Sequence, residues 1–122
     1  MKVYKFGGAS IKDCKSIKRL ANIIRNDNCD KIILIVSAMG KTTNSMEDLV
    51  LSYTKSFKNL RTKLELIKTF HTDILKGLFQ KNHQSVLKIV DSVFNEIDKF
   101  LRLNKENDYN FIYDQLVSYG EI

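Results

Sequence analysis

Apolar and polar residues follow one another along this chain in different periods, and each period predicts a different element. Val3-Tyr4-Lys5-Phe6 is a short β-branched and aromatic run stopped by Gly7-Gly8, which predicts a strand ending in a glycine turn. From Ile17 the period lengthens. Ile17, Leu20, Ala21 and Ile24 recur at three- and four-residue steps, Lys15, Lys18, Arg19 and Arg25 occupy the other face, and Asn26-Asp27-Asn28 closes the segment. This predicts an amphipathic helix. Residues 31–39 are then almost continuously apolar and rich in Ile and Val. The run is too short for an ordinary helix and predicts a strand buried on both faces, as in a parallel sheet covered by helices. Strand, helix and strand in succession make a βαβ unit, whose crossover is expected to be right-handed.

Beyond Gly40 the helical period takes over. Asn44 with Glu47 three residues on has the form of a capping box, with Asn in place of Ser or Thr, and Met46, Leu49, Val50, Tyr53 and Phe57 continue at helical spacing. A helix is therefore predicted to start near residue 44. Leu60, Leu64, Ile67, His71, Ile74 and Leu78 form the next stripe, and Val86, Val90, Val93, Ile97 and Leu101 form another after a polar break at residues 80–84. These predict two long amphipathic helices joined by a short turn, an antiparallel helical hairpin. Residues 103–108 read as a polar linker, and Ile112, Leu116 and Tyr119 mark a last helix interrupted at Gly120.

Composition narrows the class. The 122 residues are 43% apolar and include no proline, which suits one largely helical domain or part of one and leaves no room for a multidomain enzyme. A domain of this size buries roughly two thirds of its unfolded surface, so neither disulfides nor a metal is needed for folding. The longest apolar run, Ile32-Ile33-Leu34-Ile35-Val36, is far below the ~18 residues of a membrane span, and Met1-Lys2-Val3-Tyr4 opens no signal peptide. A cytoplasmic protein is expected. Cys14 and Cys29 have no CxxC or CxxH companion, so they read as ordinary thiols in a reducing compartment, with no metal site. Charge is uneven: residues 1–63 hold 13 basic and 5 acidic groups, a balance of +8, and residues 64–122 hold 7 and 9, a balance of −2. An anionic ligand belongs with the first half. Sixteen of the 20 basic residues are lysine, which suits phosphate as a point charge but lacks the planar fork that reads bases, so a nucleic-acid partner is not favoured.

Three segments carry candidate chemistry. Lys5-Phe6-Gly7-Gly8-Ala9-Ser10 sits at the carboxyl end of the first strand. Two glycines there let backbone N–H groups approach an anion and Lys5 adds a fixed positive charge, although a strand-ending Gly-Gly is also an ordinary tight turn. Residues 36–44, Val-Ser-Ala-Met-Gly-Lys-Thr-Thr-Asn, leave the carboxyl end of the second strand and open a helix. Ligands of parallel sheets bind at strand carboxyl ends, so both loops are expected to face one crevice. Gly40-Lys41-Thr42 is not a P-loop, since the upstream glycine of that motif falls on Ile35. Ser118-Tyr119-Gly120-Glu121 is the third segment; by composition alone it reads as a frayed end. His71, on the apolar stripe of the hairpin, reads as a core-edge histidine, His83 as solvated, and the tyrosines and phenylalanine at 109, 111, 113 and 119 as core and subunit-facing surface.

Taken in order, KFGGAS, VSAMGKTTN and SYGE resemble the motifs of the aspartate kinases in the amino-acid kinase superfamily. The resemblance covers residues 1–122 as the amino-terminal part of such a catalytic domain, with the nucleotide-binding half and the regulatory ACT domains absent. It implies an α/β fold: part of an α/β/α sandwich with parallel strands, an appended helical hairpin and mostly helix. It implies transfer of the γ-phosphoryl of ATP, with Mg2+, to the side-chain carboxylate of L-aspartate, the first step towards lysine, threonine and methionine. By the same resemblance Lys5 is the catalytic cation, and Lys5, Gly7, Gly8 and Ser10 bind ATP phosphates. Ser37 and Thr43 orient aspartate, Glu121 holds its α-ammonium group, and no protein metal ligand is implied. Ala9 stands where many members have threonine. The complete enzyme is expected to be a homo-oligomer, and the isolated chain to turn over little or no substrate. A non-catalytic self-associating module is the alternative, with an unfinished sheet edge as its contact; a polyanion binder built on the basic half ranks last.

Overall fold

The computed structural model describes residues 1–56, 58–81 and 83–122, which form two compact units, Met1–Thr42 and Thr43–Ile122. In the first, β1 (Lys2–Phe6) and β2 (Ile32–Val36) pair in parallel, Lys2 opposite Ile32 and Phe6 opposite Val36. A parallel pair needs a crossover, supplied here by a 3-10 turn (Gly8–Ile11) and α1 (Cys14–Arg25). Asp13 caps α1 by accepting the Ser16 N–H at 2.7 Å, a bond that holds its carboxyl below the usual carboxylate range. The sequence pattern does not reveal this cap, because Asp13 lies four residues before the first apolar position of the stripe.

One expectation fails in this unit. β2 is not buried on both faces: Ile33, Leu34, Ile35 and Val36 are 45–53% exposed. Among the described residues the strand has β1 as its single neighbour in a two-stranded sheet, and its side chains keep contact with solvent despite their apolar character. It is also shorter than the apolar run, since residues 37–39 leave the strand for the loop that follows.

The second unit is helical. α2 (Thr42–Lys55) begins on the last residue of the first unit and is followed by α3 (Leu60–Leu78), α4 (His83–Leu103) and α5 (Tyr109–Ser118), with a closing 3-10 turn (Tyr119–Glu121). The expected start of α2 near residue 44 and the capping role of Asn44 are corrected. Thr42 donates to the Met39 carbonyl through both Oγ1 (2.6 Å) and its N–H (3.1 Å), so the helix closes at Thr42 and Asn44 falls inside its first turn. Phe57, expected on the α2 stripe, lies outside the described residues, as does Asn82 in the polar break.

The helical stripes meet as the period predicts. Met46, Leu49, Val50 and Tyr53 of α2 join Leu64 and Ile67 of α3, Phe94 and Ile97 of α4, and Ile112 and Leu116 of α5 in one buried cluster. The α3–α4 hairpin is pinned at its surface by a Lys68–Asp91 ion pair of 2.7 Å. His71 has the core-edge role, its Nδ1 2.8 Å from the Ile67 carbonyl and its ring edge-on to Phe94. His83 differs from expectation: it is half-buried, with Nδ1 3.1 Å from the Phe79 carbonyl, a local bond that its place in a polar turn does not advertise. The linker before α5 is fastened to α2, for Tyr53 donates its hydroxyl to the Asn104 carbonyl at 2.9 Å and Asn104 Nδ2 donates to Tyr53 at 3.0 Å and to the Glu106 carbonyl at 2.9 Å. Asp108 then caps α5 by accepting the Phe111 N–H at 2.8 Å. Among the described residues no helix is long and apolar enough to cross a membrane.

Candidate functional site

The geometry starts from the parallel ladder. Lys5 lies opposite Ile35 and Phe6 opposite Val36, and the Ser37 N–H extends the pairing by donating to the Phe6 carbonyl at 3.0 Å. Both chains therefore leave the sheet at the same level and the two glycine loops emerge side by side. They then touch. The Gly40 N–H donates to the Gly8 carbonyl at 3.0 Å. A Cβ on Gly8 would sit 2.4 Å from the Gly40 carbonyl oxygen and 2.9 Å from that of Ala38, both of them backbone atoms without freedom to withdraw. Gly40 itself has φ 59, in the left-handed region that favours glycine.

The two adjacent glycines thus differ. Gly8 lacks a side chain because the second loop passes against it. Gly7 has ordinary extended geometry, φ −77 and ψ 167, and open space where a Cβ would point. A Cβ on Gly7 would meet nothing within 4 Å, and Lys5 is exposed two residues earlier. Among the described residues the Lys5 ammonium makes no ion pair or hydrogen bond. Ser10 donates its N–H to the Gly7 carbonyl at 2.9 Å, closing the 3-10 turn, and the Ser10 and Ser37 side chains are exposed. Lys5, Gly7, Gly8, Ser10 and Ser37 are brought to one end of the first unit.

Thr43 and Glu121 belong to the second unit. Thr43 is half-buried in the first turn of α2, where no acidic residue stands, and Glu121 is exposed in the closing 3-10 turn. That turn corrects the reading of residues 118–121 as frayed: Ser118 Oγ donates to the Gln115 carbonyl at 2.8 Å, and the helical path continues to Glu121. The helix bearing Thr43 and the helix that leads into the Glu121 turn are joined by a hydrogen bond from the Tyr113 hydroxyl to Glu47 Oε1 at 3.0 Å. The bond and the negative charge of Glu47 push the Tyr113 hydroxyl above its ordinary pKa, so it remains a donor at neutral pH. Gly40 lies inside the VSAMGKTTN motif without a role assigned to it, Glu47 reads in sequence only as a capping-box partner, and Tyr113 only as one of an aromatic group. For Gly40 the signal was present, a glycine between strand and helix; for Glu47 and Tyr113 there was none, because the pairing is set by packing. No group of three or more His, Cys, Asp or Glu able to hold a metal ion occurs among the described residues.

The family model for the amino acid kinase family matches residues 1–122. Aspartokinase 1, chloroplastic, of Arabidopsis thaliana is 30% identical over 98% of this chain and 21% of its own length. Bifunctional aspartokinase/homoserine dehydrogenase 2 of Escherichia coli (strain K12) is 25% identical over 98% of this chain and 15% of its own length. Among solved structures, E. coli aspartokinase III in complex with aspartate and ADP (R-state) superposes with a TM-score of 0.79 at 24% identity, covering 98% of this chain and 26% of the other. The same enzyme in complex with lysine and aspartate (T-state) gives 0.78 at 23% identity with the same coverage. These likenesses show the α/β fold, and this chain spans about a quarter of the solved chains or less of its relatives.

Proposed function

The chain belongs to the amino acid kinase family over its whole length, and on that premise we propose that it carries the aspartate-binding and phosphate-facing loops of an aspartate kinase. The observation that carries this reading is the meeting of the two glycine loops at the carboxyl end of a parallel strand pair, beside an exposed Lys5 that has no ion-pair partner among the described residues. Relatives named as aspartokinases, and a solved aspartokinase holding aspartate and ADP, support the choice of substrates.

The reaction asks little covalent chemistry of the protein. The side-chain carboxylate of aspartate, with a pKa near ~4, is already ionised at neutral pH and needs no general base. One of its oxygens bonds to the γ-phosphorus of ATP while the bond from that phosphorus to the β-bridging oxygen breaks, giving 4-phospho-L-aspartate and ADP. Positioning and charge neutralisation do the rest. Lys5 neutralises the phosphoryl oxygens, and the backbone N–H groups of Gly7 and Gly8, with Ser10, face the phosphates. Ser37 and Thr43 orient aspartate, and Glu121 accepts a charge-assisted bond from its α-ammonium group. Mg2+ would arrive on the phosphates of ATP. The described residues offer no acidic cluster to hold it, and their part is to neutralise and face the phosphates. Turnover, a place in lysine biosynthesis, a cytoplasmic setting and a homo-oligomeric state are proposed for a complete enzyme of this kind, and binding for these 122 residues.

Titration of the isotope-labelled chain by NMR tests the reading. L-Aspartate is expected to shift amide signals at residues 37–43 and 118–121, and ATP those at residues 5–10. Lys5→Ala is expected to weaken ATP by about tenfold, the scale of one lost charge-assisted contact, while leaving aspartate binding intact. Absence of saturable shifts with both ligands would sink the proposal, as would an unchanged ATP response in Lys5→Ala.

A further inference from the structure

The hydrogen bond between Tyr113 and Glu47 joins residues 66 positions apart, and its place along each helix gives it a role. Thr43 and Glu47 are four residues apart on α2 and so share one face of the helix. Tyr113 and Val117 share a face of α5 in the same way, and Glu121 follows four residues later through the closing 3-10 turn. The bond therefore lies one turn from Thr43 and two turns, about 12 Å of helix rise, from Glu121.

The bond is also well protected. Both side chains are half-buried, Tyr109 packs against Tyr113 with ring centroids 5.9 Å apart, and Ile112 beside it is fully buried in the core. Tyr53, ten residues after Thr43 on α2, holds the start of the same segment through Asn104. α2 thus holds the linker before α5 at Asn104 and α5 itself at Tyr113, and the contact nearer Thr43 is the one supplied by Glu47. The buried apolar contacts of Ile112 and Leu116 hold α5 against the core, but apolar contacts tolerate small slides along a helix axis. A directed bond to a carboxylate does not, because its length and angle are narrowly set.

We propose that Tyr113 and Glu47 are positioning residues that fix the spacing between Thr43 and Glu121, so that one aspartate molecule meets both. This rests on the assignment of Thr43 and Glu121 to the aspartate site made above. The consequence is specific. Glu121 meets the α-ammonium group, so loosening α5 weakens recognition of that group and leaves recognition of the carboxylates as it was. Selectivity for L-aspartate over succinate, the same dicarboxylate without the amino group, is the readout.

The experiment measures binding of L-aspartate and succinate to the 122-residue chain by NMR titration, for wild type, Tyr113→Phe, Glu47→Ala and Glu47→Gln. Tyr113→Phe keeps the ring and loses the donor; Glu47→Ala removes the acceptor and leaves the tyrosine, which covers the case of a poorly folded phenylalanine variant. Both are expected to bind L-aspartate about tenfold more weakly with succinate affinity unchanged, so that selectivity falls by the same factor. Glu47→Gln retains an oxygen acceptor and is expected to restore selectivity to within about threefold of wild type. A general loss of structure would weaken both ligands together, and that result overturns the positioning role. Wild-type selectivity in Tyr113→Phe and Glu47→Ala overturns it as well, while the aspartate site itself stands. A wild-type chain that binds neither ligand overturns the site and the positioning role together.

Discussion

A single methyl group separates the roles of the two adjacent glycines. At Gly8 a Cβ would press on the carbonyl oxygens of Gly40 and Ala38 at 2.4 and 2.9 Å, so the two loops would have to part. Gly8→Ala is expected to destabilise the chain by about 1–3 kcal/mol, the range for forced overpacking. At Gly7 the same methyl meets nothing within 4 Å, and φ −77 suits any L residue. Gly7→Ala is expected to be neutral, or to stabilise by up to about 1 kcal/mol through the unfolded chain, and yet to weaken ATP if the phosphates approach there. Urea unfolding of both variants separates them; equal destabilisation would contradict the assignment of Gly8 to loop packing. The motif KFGGAS was legible as a whole in the sequence, whereas this division within it was not. What distinguishes the two glycines is the path of a loop thirty residues downstream.

At the scale of elements, the βαβ unit is closed by a network the sequence does not announce. Asp27 reads in sequence as part of a polar helix stop, yet its side chain is only 4% exposed. Lys2 Nζ donates to both its oxygens at 3.0 Å, the Tyr4 hydroxyl donates to Oδ2, and the Cys29 N–H donates to Oδ1 at 2.8 Å. The first strand is thereby tied to the connection between α1 and β2. The Tyr4 and Lys2 bonds hold the Asp27 carboxyl below the ordinary carboxylate pKa of 3.8, while the same bonds push Tyr4 and Lys2 above theirs. A depressed folded-state pKa means that the contribution of Asp27 is complete above pH 3.8 and is lost as pH falls through the lower folded value. Asp27→Asn keeps the size and loses the charge. It is expected to be less stable than wild type at pH 7, with the difference shrinking below pH 3.8 and vanishing once Asp27 is protonated in the folded protein. Urea unfolding across pH 2–7 gives the comparison, and a difference that stays constant over that range would contradict it. Elements set by periodicity alone fared differently: the stripe from Leu60 to Leu78 became α3 with the same bounds. A helical stripe is a local property of the chain, and the Tyr4 and Lys2 partners of Asp27 lie 23 and 25 residues away.

Over the whole molecule, burial is divided unequally between the two units. The buried cluster of ten residues is formed entirely by α2 to α5. In the first unit Ile11 and Ala38 are the buried apolar residues among those described, α1 buries none fully, and Ile33 to Val36 of β2 stay 45–53% exposed. The sequence predicts β2 buried on both faces, since its apolar run is the densest in the chain. Density of apolar residues measures the demand for burial, and whether that demand is met depends on neighbouring layers, which a two-stranded sheet lacks. Local opening costs least where few apolar contacts are broken, so amide hydrogens need not exchange at one rate across the chain. Backbone amides of β1 and β2 are expected to exchange at least about tenfold faster than those around Leu49, Ile97 and Ile112, a gap of ~1.4 kcal/mol or more in opening free energy. Exchange followed by NMR or mass spectrometry measures this directly. If the strands instead exchange as slowly as α2 and α4, the network around Asp27 and the Gly8–Gly40 contact hold the first unit far more firmly than its burial implies. In that case Asp27→Asn would be expected to speed strand exchange while leaving the helices unchanged, which assigns the extra protection to the network and not to the core.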